Sequence, residues 1–342
     1  MKRRAFISAS LLMASVALSF AEVSITGAGA TFPNPIYQKW FSEYHKAHPD
    51  VQINYQSLGS GAGIKQVTEG TVDFGATDGP MNDAQIAEYI GKHKSKILHF
   101  PTVLGADVAT YNVPGIATGL NLTPEALAGI FLGKITKWND PAIANENKAI
   151  KLPGADIIVV HRSDGSGTTY CFTDYLAKVS PEWKSKVGAP NTSVNWPTGV
   201  GGKGNDGVSG QVKNLANSIG YVELVYAEQN KLPYANIKNA AGVFVKPNLA
   251  STTAAAAGAA QSMPDDFRVS ITNSPGKAAY PIATFTWLLI PEQFKDAEKG
   301  KIMKDFLKWA MGPGQALAEP LTYASLPKEV LAKENKAISK LK

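Results

Sequence analysis

The chain has 342 residues, 44% of them hydrophobic, with 34 basic residues against 28 acidic ones. Lys2, Arg3 and Arg4 precede an apolar run from Ala5 to Phe20, and Ser19-Phe20-Ala21 fits a small-x-small cleavage site, so residues 1–21 read as a secretory signal peptide cut after Ala21. Taking 21 residues from 342 leaves 321, and taking three basic residues from 34 leaves 31 against 28, a net +3, and no run of Lys and Arg marks a nucleic-acid surface.

The Ala5–Phe20 run is shorter than the roughly 20 apolar residues a spanning helix needs, and no later run is long and apolar enough to cross a bilayer. Cys171 is the only cysteine, which excludes an intrachain disulfide. The mature length passes the roughly 250–300 residues at which single cores divide, so two domains are expected.

In chain order, Val23 and Ile25 alternate as a strand, GAGATFPNP (27–35) intervenes, and a helix follows with Ile36, Tyr37, Trp40, Phe41 and Tyr44 on one face. Val51, Ile53 and Tyr55 alternate as a second strand. LGSGAG (58–63) then leads into a helix running to about Glu69, and VDFGATD (72–78) gives another strand. After a polar helix, HFPTVLG (99–105) is an extended segment suited to crossing between domains. Thr123-Pro124 starts a helix that stops at Gly133.

The run DIIVV (156–160) reads as a fully buried strand of a parallel sheet. It leads through RSDGSG (162–167) into a helix with Cys171, Phe172, Tyr175, Leu176 and Val179 on one face, which makes Cys171 a buried structural residue. Farther on, an alanine-rich stretch (251–263) is compatible with helix, and PIATFTWLLI (281–290) is a strand. A helix spans about Asp296 to Met311 before the break Gly312-Pro313-Gly314, and a last one begins near Pro327.

Strand, glycine-rich turn and helix thus recur three times. The first N–H groups of a helix lack intrahelical partners, and its dipole adds partial positive charge there. Glycines admit a ligand close to the backbone, and Thr31, Ser60, Ser166 and Thr168 add hydroxyl donors. Each alone reads as an ordinary N-cap. Three such turns, with one arginine and two aspartates nearby, point to an anion held in a cleft between domains.

Other chemistries fit less well. Ser166 lacks the G-x-S-x-G order of a nucleophile elbow, and His161, at a strand end, has no evident carboxylate partner. There is no P-loop. GKGNDG (202–207) matches G-x-G-x-x-G by letter, but it follows WPTGVG and reads as a loop. His45, His48, His93 and His99 lack metal-ligand spacing and read as solvated surface.

Seven segments carry a family likeness: ITGAGATFP (25–33), NYQSLGSGAG (54–63), VDFGATD (72–78), IFLGKITKWND (130–140), RSDGSGT (162–168), GGKGNDGV (201–208) and IGYVE (219–223). Across the mature chain the sequence resembles the periplasmic phosphate-binding proteins of bacterial phosphate-uptake ABC transporters. The resemblance implies an α/β, type II periplasmic-binding fold of two domains joined by two crossover segments, residues 22–104 plus 281–342 and residues 105–280. It implies inorganic phosphate as ligand, with Thr31, Phe32 (through its backbone N–H), Ser60, Asp78, Arg162, Ser166, Gly167 and Thr168 in contact and Asp164 holding Arg162.

It further implies a periplasmic monomer that is not an enzyme, with no cofactor or metal. Its partners would be inner-membrane permease subunits and their cytoplasmic ATPase. Departures are small: Gly61 follows the Ser60 position, His161 stands where a basic residue can occur, and Thr77 replaces a common serine. An ionised Asp78 can only accept, so it demands a proton from its ligand. Phosphate keeps one near neutral pH, whereas sulfate has none. The alternatives are the same scaffold tuned to another oxyanion, or a secreted phosphohydrolase.

Overall fold

Side-chain periodicity decides the first elements of the computed structural model, which describes residues 22–341; the expected signal peptide (1–21) lies outside the described residues. Strand β1 (Val23–Gly29) buries Ile25, and helix α1 (Asn34–Ala47) buries the five predicted residues from Ile36 to Tyr44. β2 (Val51–Ser57), α2 (Ser60–Glu69), β3 (Phe74–Thr77) and α3 (Asp83–His93) follow. Next come the 16-residue β4 (Ile97–Asn112), β5 (Asn121–Leu122), α4 (Pro124–Phe131), α5 (Pro141–Ala144) and β6 (Ile158–Arg162).

The middle of the chain carries α6 (Gly167–Val179), α7 (Pro181–Lys186), β7 (Val200–Gly202), α8 (Gly204–Asn214), β8 (Ser218–Glu223) and α9 (Leu224–Gln229). It ends with β9 (Asn236–Lys238), β10 (Phe244–Val245), α10 (Leu249–Ser262), β11 (Ala283–Pro291), α11 (Ala297–Met311) and α12 (Lys328–Ser339).

Eight strands share one sheet in the order β2-β1-β3-β11-β4-β8-β6-β7, while β5, β9 and β10 form a small second sheet. β1 runs parallel to β2 and β3, and β6 runs parallel to β7 and β8. Between these parallel groups β4 is a shared seam. Its residues Ile97–Ala106 pair antiparallel with β11, and Asp107–Asn112 pair antiparallel with β8. The chain's second passage lies alongside: the Asp107 N–H donates to the Ile282 carbonyl (2.8 Å), and the Tyr280 hydroxyl donates to the Asp107 carbonyl (3.0 Å).

In open α/β sheets the crevice beyond the carboxyl ends of the strands is where ligands bind. Here five parallel strands, β1, β2, β3, β6 and β7, end in turns that face that crevice. The turn after β2 is set by close packing. A side chain at Gly63 of α2 would lie 2.6 Å from the Gly29 Cα and 2.7 Å from the Ala28 and Ala76 carbonyl oxygens. Only a bare Cα lets α2 sit this low on β1 and β3 and bring Ser60 over the strand ends.

The structure corrects three expectations. GKGNDG is not a loop: β7 ends at Gly202 and α8 begins at Gly204. β7 escapes a pattern reading because it is only three residues long and held by parallel pairing with Val160–Arg162. The DIIVV strand begins at Ile158, which is 38% exposed, because β7 covers only the far end of β6. His99 is buried rather than solvated. The β4 pleat turns it inward, where its Nε2 accepts the Met81 N–H (3.1 Å), and burial pushes its imidazole down to about 3. Cys171 is buried as expected, its thiol 4.0 Å from the Ala283 carbonyl oxygen.

Replacing Gly63 with alanine forces α2 off the sheet. The expected loss is about 1–3 kcal/mol of stability, read by urea unfolding; an unchanged midpoint would show that the α2 contact yields without cost.

Candidate functional site

Residues far apart in sequence meet in one buried cluster where α1, α2, α6 and α8 all begin. Of the hydroxyls expected to cap helices, only Ser166 does so: its Oγ accepts the Thr169 N–H (3.0 Å). Ser60 is the first residue of α2, after Gly59, and its hydroxyl faces the other half of the sheet instead. The Ser60 Oγ accepts the N–H groups of Asp78 (3.2 Å) and Gly167 (3.0 Å), and it lies 3.4 Å from the Asp78 Oδ2. A second bridge between the same turns runs from the Gly61 N–H to the Gly165 carbonyl (2.8 Å). Glycine is required at 167, since a Cβ there would lie 2.5 Å from the Ser60 Oγ and 2.6 Å from the Asp78 backbone N.

Thr31 follows β1 and is tied down from the opposite side. The Tyr226 hydroxyl donates to its carbonyl (2.5 Å), and Asn205 donates to its Oγ1. Phe32 buries its ring and accepts the Tyr323 hydroxyl at its carbonyl (2.5 Å). Among the described residues the Phe32 N–H has no protein acceptor, which leaves it available to a ligand. Asp78 ends β3 in a turn closed by Thr77, whose hydroxyl donates to the Gly79 carbonyl and accepts the Gly79 N–H (3.1 Å).

The formal charges nearly cancel. Arg162 is buried and grips Asp164 with both arms of its guanidinium, Nε to Oδ1 at 2.7 Å and Nη2 to Oδ2 at 2.5 Å. Burial disfavours the Asp164 carboxylate, but the hydrogen bonds and charge of Arg162 outweigh it and hold the group below the usual range. Asp164 also accepts the Gly204 N–H at the start of α8 (3.0 Å).

Asp78 is in the opposite position. Burial pushes its carboxyl up to about 7, against the hydrogen bonds from Thr286 (2.7 Å) and Ser60 and the charge of Arg162. It also borders a cavity of about 600 Å³ lined by Tyr170, Asp174, Arg268 and Thr284. Asp107 and Glu223 face each other across β4 and β8, and burial raises both well above the carboxylate range. Positive potential in the cluster therefore comes chiefly from helix N-termini and amide hydrogens.

The structure brings all eight expected contact residues together, with Asp164 behind Arg162. Sequence reading passed over three others. Thr286 was visible only as one of two hydroxyls, with Thr284, in an otherwise apolar strand. Tyr221, on β8, exchanges a 2.6 Å hydrogen bond with Thr169 and accepts the Arg162 N–H (3.1 Å). Asn205 lay in the segment read as a loop.

The seam-joined sheet and the enclosed cluster at its strand ends define a type II periplasmic-binding-protein fold, and the family model described as a PBP superfamily domain matches residues 16–313. The phosphate-binding protein PstS of Pasteurella multocida is 47% identical over 334 residues, covering 97% of this chain and 94% of that one. That of Xylella fastidiosa is 48% identical over 306 residues, covering 89% and 82%. A solved high-affinity periplasmic phosphate-binding protein (PfluDING), bound with phosphate, shares the fold at a TM-score of 0.74. It is 23% identical and matches over 92% of this chain and 93% of that one. This chain belongs to the family of PstS phosphate-binding proteins.

A buried carboxyl with a raised pKa stabilises the protein while protonated, and that stability is lost as pH rises through the folded value. Its lift from 3.8 to about 7 amounts to about 4 kcal/mol at roughly 1.4 kcal/mol per unit. In anion-stripped protein the Asp78→Asn variant is expected to match wild type below pH 4 and to melt progressively above it toward pH 8. A melting difference that stays flat with pH would show that Asp78 is not held protonated by burial.

Proposed function

We propose that this protein binds inorganic phosphate in the periplasm and delivers it to an inner-membrane ABC permease driven by a cytoplasmic ATPase. The observation that carries the reading is one buried carboxyl, Asp78, set among donors that otherwise suit an anion. The phosphate-binding relatives and the phosphate-bound neighbour support it. Thr31, Phe32, Ser60, Arg162, Ser166, Gly167 and Thr168 supply neutral N–H and O–H donors and one guanidinium. Hydrogen bonds to a charged group are worth about 1.5–3 kcal/mol each, so many of them hold a multiply charged ion without matching cations. Asp78 accepts a hydrogen bond from the ligand's protonated oxygen.

Residues 1–21 act in this reading as the export signal. No described helix is long and apolar enough to cross a membrane. The protein works as a monomer of two lobes, 22–104 with 281–342 and 105–280. This division is supported by the switch of β4 from β11 to β8 between Ala106 and Asp107. Binding rather than ester hydrolysis is favoured by His161, whose ring stacks on Trp196 (5.0 Å between centroids) with its Nδ1 against the Arg162 carbonyl (3.0 Å).

Calorimetric titration of phosphate and sulfate at pH 5.5 and 8.5 tests the assignment. At pH 8.5 phosphate should lead by roughly 10⁴-fold or more, the scale on which a site rejects an analogue lacking a required polar group. The lead should narrow below pH 7, where a protonated Asp78 can donate to sulfate, and it should narrow at both values in Asp78→Asn. A ratio indifferent to both changes removes Asp78 from selectivity; failure to bind phosphate overturns the function.

A further inference from the structure

Asn205 is fully buried at the start of α8, and its side-chain amide is oriented without ambiguity. The Glu223 backbone N–H can only donate, and it points at the Asn205 Oδ1 (2.9 Å). The Nδ2 therefore faces the two threonine hydroxyls, donating to the Thr31 Oγ1 (2.8 Å) and the Thr168 Oγ1 (3.2 Å). Each hydroxyl receives a second N–H. The Asn205 backbone donates to the Thr31 Oγ1 (3.2 Å), and the Arg162 Nη1 donates to the Thr168 Oγ1 (3.3 Å).

A hydroxyl offers one proton and two acceptor sites. Both threonines have their acceptor sites filled, and among the described residues neither proton has a protein acceptor. The Ser60 Oγ likewise accepts two N–H groups, but its own proton is directed at the Asp78 Oδ2 (3.4 Å).

We propose that Asn205 is a positioning residue that fixes the Thr31 and Thr168 hydroxyls as obligate donors toward the bound anion. It also clasps the turn after β1 to the turn after β6. This rests on the phosphate reading and deepens it: with these hydroxyls barred from accepting, a protonated ligand oxygen is directed to the Asp78 carboxylate. Specificity then comes from Asn205 as well as from Asp78, although Asn205 reaches the ligand only through other side chains.

Double-mutant cycles for phosphate binding, measured calorimetrically on the full mature protein, test the role. Asn205→Ala should weaken binding about 10- to 100-fold in the wild-type background. In a Thr168→Val background the same change should cost only part of that factor, because one of the two hydroxyls it orients is gone and the Thr31 share alone remains. In a Ser166→Ala background, where Asn205 has no hydrogen bond to the altered residue, it should again cost its full factor. An equal cost in all three backgrounds overturns the donor-fixing role and leaves a clasp alone.

Should the alanine variant fail to fold, Asn205→Leu keeps nearly the same shape with neither charge nor donor and enters the same cycles with the same expectation. Loss of phosphate binding by the wild-type protein itself would count against the functional reading, not against this coupling.

Discussion

Four helices start at one point, and the partial positive charge at each N-terminus repels the others. The first residues of α2 and α6 meet through the Ser60–Gly167 hydrogen bond, and the starts of α1 and α8 close in through Thr31 and Asn205. Such a meeting is poorly compensated from within, because Arg162, the one buried arginine among the described residues, is already matched by Asp164. The other buried carboxyls near it, Asp78, Asp107 and Glu223, are themselves shifted toward neutrality by burial. What the fold assembles is a concentration of amide and hydroxyl dipoles with little net charge, and a small anion is the species that relieves it.

This arrangement explains the economy of cations. A site of several lysines would bind multiply charged ions indiscriminately and would change with salt, as exposed charges do. Dipoles fixed to the backbone have direction. They can be aimed at oxygen positions and cannot rearrange to accept a proton. Against that background a single acceptor becomes informative: in the proposed reading, Asp78 is the place where a protonated oxygen is welcome. Thr286, rising from β11 on the other strand of the seam, keeps one Asp78 oxygen occupied and so limits which face of the carboxyl a ligand meets.

Much of this was legible in the order of residues, because the site is built from local units. A strand, a glycine turn and a helix start are short-range features, and Thr31, Ser60, Asp78, Arg162 and Ser166 all lie in them. Segments that owe their shape to tertiary pairing escaped. β7 has three residues and no alternation, so only its neighbour β6 makes it a strand, and α8 and Asn205 were hidden with it. Thr286 and Tyr221 join the cluster through sheet register, which pattern reading does not supply. His99 was misplaced for a related reason: β4 is covered on both faces over most of its length, so a polar residue within it has no exposed side to occupy.

Cys171 lies on the buried face of α6, beneath the site and against β11. Burial, with the Asp107 carboxyl beside it, raises its thiol well above the ordinary range, so the reactive thiolate is scarce as well as enclosed. Both features lower the reactivity of this thiol in the folded molecule. A cysteine placed on its surface would be the preferred point of attachment for a dye or spin label, since the one native thiol is buried and competes poorly for the reagent.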